Sequence, residues 1–131
     1  MRGFARLPLA LLLVLAAAAP ANATGKRAFF LSPTGNISCE LHWKDARLPS
    51  TAYCQTRHPA RSVTLRANGR LRICTGRNCI GDPPSNAKVL RYGSSMQVGG
   101  FRCTSRSTGM TCVRTTTGKG FRISIAGVRR V

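Results

Sequence analysis

Carboxylates are almost missing from this sequence: its 131 residues include three, Glu40, Asp45 and Asp82, and histidine occurs at positions 42 and 58 alone. General acid and base work near neutral pH draws on these side chains, so most hydrolytic and transfer mechanisms find few residues here. No Gly-x-Ser-x-Gly elbow is present, which excludes the usual serine hydrolase arrangement. Gly99-Gly100 and Gly118-Lys119-Gly120 lack both the P-loop pattern and a following helix, and they read as hairpin turns. The longest apolar run, Leu9 to Ala19, has 11 residues, short of the about 20 that a membrane-spanning helix needs. No transmembrane segment, cofactor or metal is expected.

That apolar run has its own meaning. Arg2 and Arg6 precede it and Ala21-Asn22-Ala23 follows it, which are the charged region, hydrophobic region and A-x-A cleavage site of a secretory signal peptide over residues 1–23. The first cysteine, Cys39, lies too far on to take a lipid at the cleavage site. The expected product is a secreted, extracellular monomer starting at Thr24, with residues 24–131 forming a single domain.

Six cysteines, at 39, 54, 74, 79, 103 and 112, all fall in that mature region. An even number of cysteines in an exported chain implies a disulfide framework. A zinc site built from Cys74, Cys79, Cys103 and Cys112 would need unusual ligand spacings and free thiolates, which an oxidising compartment removes. Sequential pairing, Cys39 with Cys54, Cys74 with Cys79 and Cys103 with Cys112, closes three short loops.

The charge is extreme. Of 21 lysines and arginines, Arg2 and Arg6 go with the signal, leaving 19 against three carboxylates and a mature net charge of +16. Arginine dominates, and its planar fork pairs with phosphate and carboxylate two bonds at a time. Anionic polymers bound without sequence preference are the partners this implies. Coding bias toward arginine, with solubility as the benefit, is the competing explanation.

Alternation and turn signals recur at short intervals and helical periodicity is scarce, which predicts an all-β, disulfide-stapled antiparallel domain of hairpins. Ser32-Pro33-Thr34-Gly35 suits a type I turn. From Asn36 to Trp43 the set Ile37, Cys39, Leu41, Trp43 alternates with Asn36, Ser38, Glu40, His42, so the first set is expected in the core and the second in water. Strands are expected at Thr51 to Arg57, Ser62 to Arg66 and Arg70 to Cys74. A three-residue loop, Ala67-Asn68-Gly69, pairs Leu65 with Leu71 and Val63 with Ile73. It also gathers Arg66, Arg70 and Arg72 on the other face. Residues 75–86 read as a loop. Strand character returns at Ala87 to Tyr92, Phe101 to Thr104, Met110 to Arg114 and Phe121 to Ile125, with Ser105 to Gly109 as a turn region.

Ser32-Pro33-Thr34-Gly35-Asn36-Ile37-Ser38-Cys39, Tyr92-Gly93, Gly100-Phe101-Arg102-Cys103-Thr104-Ser105, Gly109-Met110-Thr111-Cys112 and Gly118-Lys119-Gly120-Phe121 together resemble a family of small secreted bacterial proteins, catalogued as a domain of unknown function. The resemblance spans most of the mature chain. Its motifs are glycine, proline, cysteine and aromatic positions, so what it implies is turns, staples and core contacts, and it carries over no catalytic residue. This chain departs from the pattern before the central hairpin, where it lacks a cysteine and has Cys79 instead.

Two readings of function come from these residues. Arg66, Arg70 and Arg72 are the candidate binding residues of a module for extracellular polyanions such as wall polymers, nucleic acid or acidic glycans. Glu40 and His42, two apart on one strand, are the alternative: with an arginine nearby they supply the acid, base and phosphate-binding groups of a ribonuclease-like enzyme. A glycosidase needs two opposed carboxylates, and Glu40 with Asp45 is the near pair in sequence. A structural role in the cell envelope is a third reading.

Overall fold

The computed structural model describes Gly3 and residues 26–131, so the signal segment read at residues 1–23 lies outside the described residues apart from Gly3. Residues 26–131 form two β-sheets. The chain first lays down β1 (Arg27–Leu31), β2 (Ile37–His42), β3 (Thr51–Thr56), β4 (Arg61–Arg66) and β5 (Leu71–Thr75). A single 3-10 turn, Arg77–Cys79, and the two-residue β6 (Lys88–Val89) follow. The remaining strands are β7 (Ser95–Val98), β8 (Phe101–Arg106), β9 (Gly109–Arg114), β10 (Gly120–Ser124) and β11 (Gly127–Arg130). One sheet has the order β5-β4-β3-β2-β1-β6 and the other β11-β10-β9-β8-β7. All pairings are antiparallel except that of β6, which returns alongside β1 in parallel. Among the described residues no helix is long and apolar enough to cross a membrane.

Alternation explains which faces meet. Phe30, Cys39, Leu41, Cys54, Val63 and Leu65 of the first sheet pack on Phe101, Cys103, Met110, Cys112, Phe121 and Ile123 of the second in one buried cluster. Each of the three large phenylalanines there removes 150 Å² or more of apolar surface from water, on the usual scale for aromatic side chains, and is at most 1% exposed. The disulfides are Cys39–Cys54, Cys74–Cys79 and Cys103–Cys112. The first and third join directly opposed residues of neighbouring strands, with Cα atoms 4.1 Å apart in each. Sulfurs of Cys39, Cys54 and Cys112 lie within 4.8 Å of one another, but all three are committed to disulfides and present no thiolate to a metal.

The central hairpin adopts the three-residue loop: Leu65 pairs with Leu71 and Val63 with Ile73, while Gly69 takes φ +87°, a left-handed conformation that glycine reaches without steric cost. Ile73 nevertheless stays 51% exposed. The second sheet packs over β3 and β4 through β10, and β5, one strand further out at the sheet edge, overhangs it.

Other expectations need correction. The strand expected over Ala87 to Tyr92 shrinks to Lys88–Val89, because the chain there crosses from one sheet to the other: Leu90 N–H donates to Leu31 O at 2.8 Å and Gly93 N–H to Ser105 O at 2.7 Å. The turn between β8 and β9 is tighter than Ser105 to Gly109, since Arg106 pairs with Gly109 across Ser107-Thr108. Ile125 falls past the end of β10 and is 71% exposed. β7 and β11 had no expectation, being four residues each without marked alternation.

Candidate functional site

The outer face of the six-stranded sheet carries both sets of candidate residues. Register fixes its rows. Phe29, Glu40, Tyr53, Thr64 and Arg72 line up across β1 to β5, and next to them runs the row Arg27, His42, Thr51, Arg66. Arg70 continues that second row, its carbonyl accepting from Arg66 N–H at 2.9 Å across the hairpin turn. Arg66, Arg70 and Arg72 are all exposed, so three guanidinium groups stand together on one end of the face.

The other end is covered. The segment after the Cys74–Cys79 bridge folds back over the sheet and is held by side chains that imitate backbone pairing. Gln55 Nε2–H donates to Gly81 O at 2.6 Å, and Gly81 N–H donates back to Gln55 Oε1 at 3.0 Å. The Tyr53 hydroxyl donates to Gln55 Oε1 at 2.7 Å, with Cys79 O at 3.1 Å. Loss of water around the ring raises the Tyr53 phenol above its ordinary value near 10, and the Glu40 charge adds to this, while a hydrogen bond from Ser62 opposes it. This covering buries Gln55, Ser38 and Ser62. The expectation that the polar set of β2 faces water is therefore corrected at Ser38 and, for a different reason, at His42.

His42 is buried because Phe29 of β1 stands beside it on the same face, with ring centroids 5.9 Å apart and planes at 77°. Its Nε2 lies 3.5 Å from Glu40 Oε2, the outer limit for a hydrogen bond. Its Nδ1 is buried with no partner among the described residues. The structure thus brings Glu40 and His42 into contact with each other. Asp45 is engaged elsewhere: it accepts from the Arg47 N–H at 3.0 Å and from Arg27 Nη2 at 2.8 Å. The Arg47 hydrogen bond is the largest cause of its lowered carboxyl pKa, with the Arg27 charge also pulling it down and partial desolvation opposing. The carboxylate that shares a space with Glu40 is Asp82, which lines the same cavity of about 290 Å³ together with Tyr53 and Gln55. His58 is exposed in the β3–β4 loop, where its backbone N–H donates to Asn36 Oδ1 at 2.9 Å.

The second sheet adds a surface that the residue patterns alone did not bring forward. Its outer face presents Arg102 on β8, Arg122 on β10 and Arg129 on β11 among hydroxyl side chains, with Ser95, Thr104, Thr111, Arg122 and Arg129 in one row. The signal for it was in plain sight: no carboxylate follows Asp82, whereas nine lysines and arginines do. Among the described residues the one pair between an Arg or Lys and a carboxylate is Arg27–Asp45. Comparisons with protein-family models, with curated proteins and with solved structures gave no match to this chain.

Proposed function

We propose that this protein is an exported binding module for extracellular anionic polymers. The observation that carries the reading is the exposed cluster of Arg66, Arg70 and Arg72, on a sheet face where no carboxylate pairs with them. Three like charges on adjacent strands repel one another, and phosphate or carboxylate groups spaced along a polymer relieve that repulsion while releasing bound counterions. Arginine suits this role better than lysine because its fork fixes two hydrogen bonds to one oxyanion. Aromatic surface on the sheet contributes little: Phe29 is half-buried against His42, and Tyr53, in the row that ends at Arg72, is partly buried with its hydroxyl held by Gln55 and the Cys79 carbonyl. Stacking of successive bases, which single-stranded nucleic acid binders use, has no counterpart there. Affinity therefore comes from charge, and recognition of a particular sequence is not expected.

The enzyme reading has one observation in its favour, the Glu40–His42 contact on the same face as the arginines. Against it, His42 is buried, its Nε2 turned to Glu40 and its Nδ1 enclosed, which leaves neither nitrogen free for a substrate proton. Titration of a poly(glycerol phosphate) wall polymer, an acidic glycan and RNA at several salt concentrations tests the proposal. Binding to such polymers that weakens linearly in log salt, without RNA cleavage, supports it. Absence of binding at low ionic strength overturns it, and RNA cleavage lost in His42→Ala moves the assignment to the enzyme.

A further inference from the structure

At one end of the sandwich, the turns from both sheets enclose an open groove of about 450 Å³, within the range of small-ligand sites. Its walls come from four separated stretches of chain: the β1–β2 turn, the segment around Tyr92, the β8–β9 turn with Arg106, and the end of β10 with the turn to β11. We infer that this groove binds an anionic sugar unit, a pyranose bearing a carboxylate or a phosphate. The inference deepens the polyanion reading and rests on it for the sign of the ligand's charge.

Three features of the groove select this chemistry. Tyr92 leaves 47% of its surface exposed and Ile125 leaves 71%, so an apolar ring and an aliphatic side chain face the opening and suit the carbon face of one sugar ring. Arg106 and Arg122 supply two guanidinium groups for the anion, and among the described residues neither is held by a carboxylate. Hydroxyls of Ser32, Thr34, Ser107, Thr108 and Ser124 complete the lining, a set of donors and acceptors matched to vicinal diols. Base recognition would need further aromatic surface, and Tyr92 is the sole aromatic in the lining.

The walls are set before any ligand arrives. Ser32 Oγ accepts from Ile37 N–H at 3.1 Å and lies 3.2 Å from Thr34 Oγ1, which in turn accepts from Asn36 N–H at 3.3 Å. The Tyr92 segment is tied on either side, to β1 through Leu90 N–H and to β8 through Gly93 N–H and the Ser105 N–H bond to Ser94 O at 2.9 Å. A groove fixed in this way spends little ordering entropy on its ligand.

The test is calorimetry and ligand-observed NMR on the mature protein, with glucuronate oligosaccharide, a hexose phosphate and the matching neutral sugar as probes. Saturable binding of one charged probe, at least tenfold tighter than the neutral sugar, is expected. Tyr92→Ala and Arg106→Ser should each weaken it by tenfold or more, and the triple change Arg66→Ser, Arg70→Ser, Arg72→Ser should leave it unchanged. The exposure of these side chains makes misfolding an avoidable complication, and a matching circular dichroism spectrum verifies the fold. If neither charged probe binds while wall polymer still does, the groove assignment fails and the polymer reading stands. If the hairpin triple loses polymer binding but keeps the charged sugar, both stand. An oligonucleotide that displaces the sugar from the groove at lower concentration overturns the saccharide assignment.

Discussion

Cys54 of the six-stranded sheet and Cys112 of the five-stranded sheet touch across the core, their sulfurs 3.6 Å apart. Each belongs to a disulfide within its own sheet, so the two staples stack at the centre of the sandwich and act there as packing as well as cross-links. Cys39, Cys54, Cys103 and Cys112 are at most 2% exposed. By contrast, Cys74–Cys79 lies in a surface segment where Cys79 is only partly buried.

From this follows a ranking of the disulfides. Replacing Cys103 and Cys112 together by alanine loses a loop constraint and leaves a gap in the core, and should cost roughly 2 to 5 kcal/mol in guanidinium unfolding. The Cys74→Ala, Cys79→Ala pair should cost less, because its loop is short and no core volume is lost. Equal losses for the two pairs would show that the central staples contribute no packing.

A second relationship joins the two sheets at their rim. The indole of Trp43, just past β2, lies flat where a side chain on Gly99 would stand, and its Cη2 would be 2.6 Å from a Cβ on Gly100. Gly99 also has φ +53°. Trp43 meets Phe101 edge to face at 5.5 Å, and the Arg114 guanidinium sits 5.0 Å from the Trp43 ring centre. Gly99→Ala should therefore destabilise by about 1 to 3 kcal/mol through strain and displacement of the ring. Since Trp43 is the single tryptophan, its emission should shift to the red in that variant, and an unchanged spectrum would refute the seating of the ring on Gly99.

How far these features could be read from residues depended on how locally they are encoded. The alternation of Ile37, Cys39 and Leu41 and the Ala67-Asn68-Gly69 loop are short-range signals, and they placed β2, the central hairpin and its register. Burial of His42 was not readable in this way, because it depends on Phe29 being its neighbour across β1 and β2. Neither was the exposure of Ile73, which follows from where the second sheet stops. The groove draws on four stretches of chain, so no single motif announced Tyr92 and Arg106 as neighbours. β11, with Gly127-Val128-Arg129-Arg130, offers too little apolar pattern to declare a strand.

Tyr53 gives a prediction in pH. Its phenol is raised above the ordinary value, chiefly by desolvation, so the folded state disfavours the phenolate. Its contribution to stability is complete below pH about 10 and is lost as pH rises through the raised native value. Ultraviolet titration should show one phenol ionising late, with stability falling in the same range. Tyr53→Phe should remove that alkaline loss and cost about 1 kcal/mol at neutral pH for the hydrogen bond to Gln55. An alkaline profile identical in Tyr53→Phe would reject this origin.

Gln55 should matter more than Tyr53 to the segment that covers the sheet. Its amide makes both hydrogen bonds to Gly81, and alanine there leaves the Gly81 N–H and carbonyl without their partner. About 1 to 3 kcal/mol is the expected loss. Hydrogen exchange at Gly81 should quicken well beyond that at core amides such as Leu41, since local opening of the cover becomes easier than global unfolding. Unchanged exchange at Gly81 in Gln55→Ala would show that the Cys74–Cys79 bridge alone fixes the segment.

The last prediction separates two roles that arginine can play on these sheets. Arg72 lies on the edge strand β5 and Arg129 on the edge strand β11, where charge also discourages pairing with another chain's edge. If polymer contacts the hairpin face, changing Arg66, Arg70 and Arg72 to serine should flatten the log affinity against log salt slope by roughly two units, at about 0.7 per phosphate on a single strand. Changing Arg102 and Arg129 to serine should flatten it by roughly one unit if the polymer wraps onto the second sheet, and leave it untouched if the hairpin face acts alone. Edge protection predicts something else, concentration-dependent association of the variants with an unaltered slope. Sedimentation velocity alongside the titration reads both, and a slope that survives all five substitutions would remove these arginines from the binding surface.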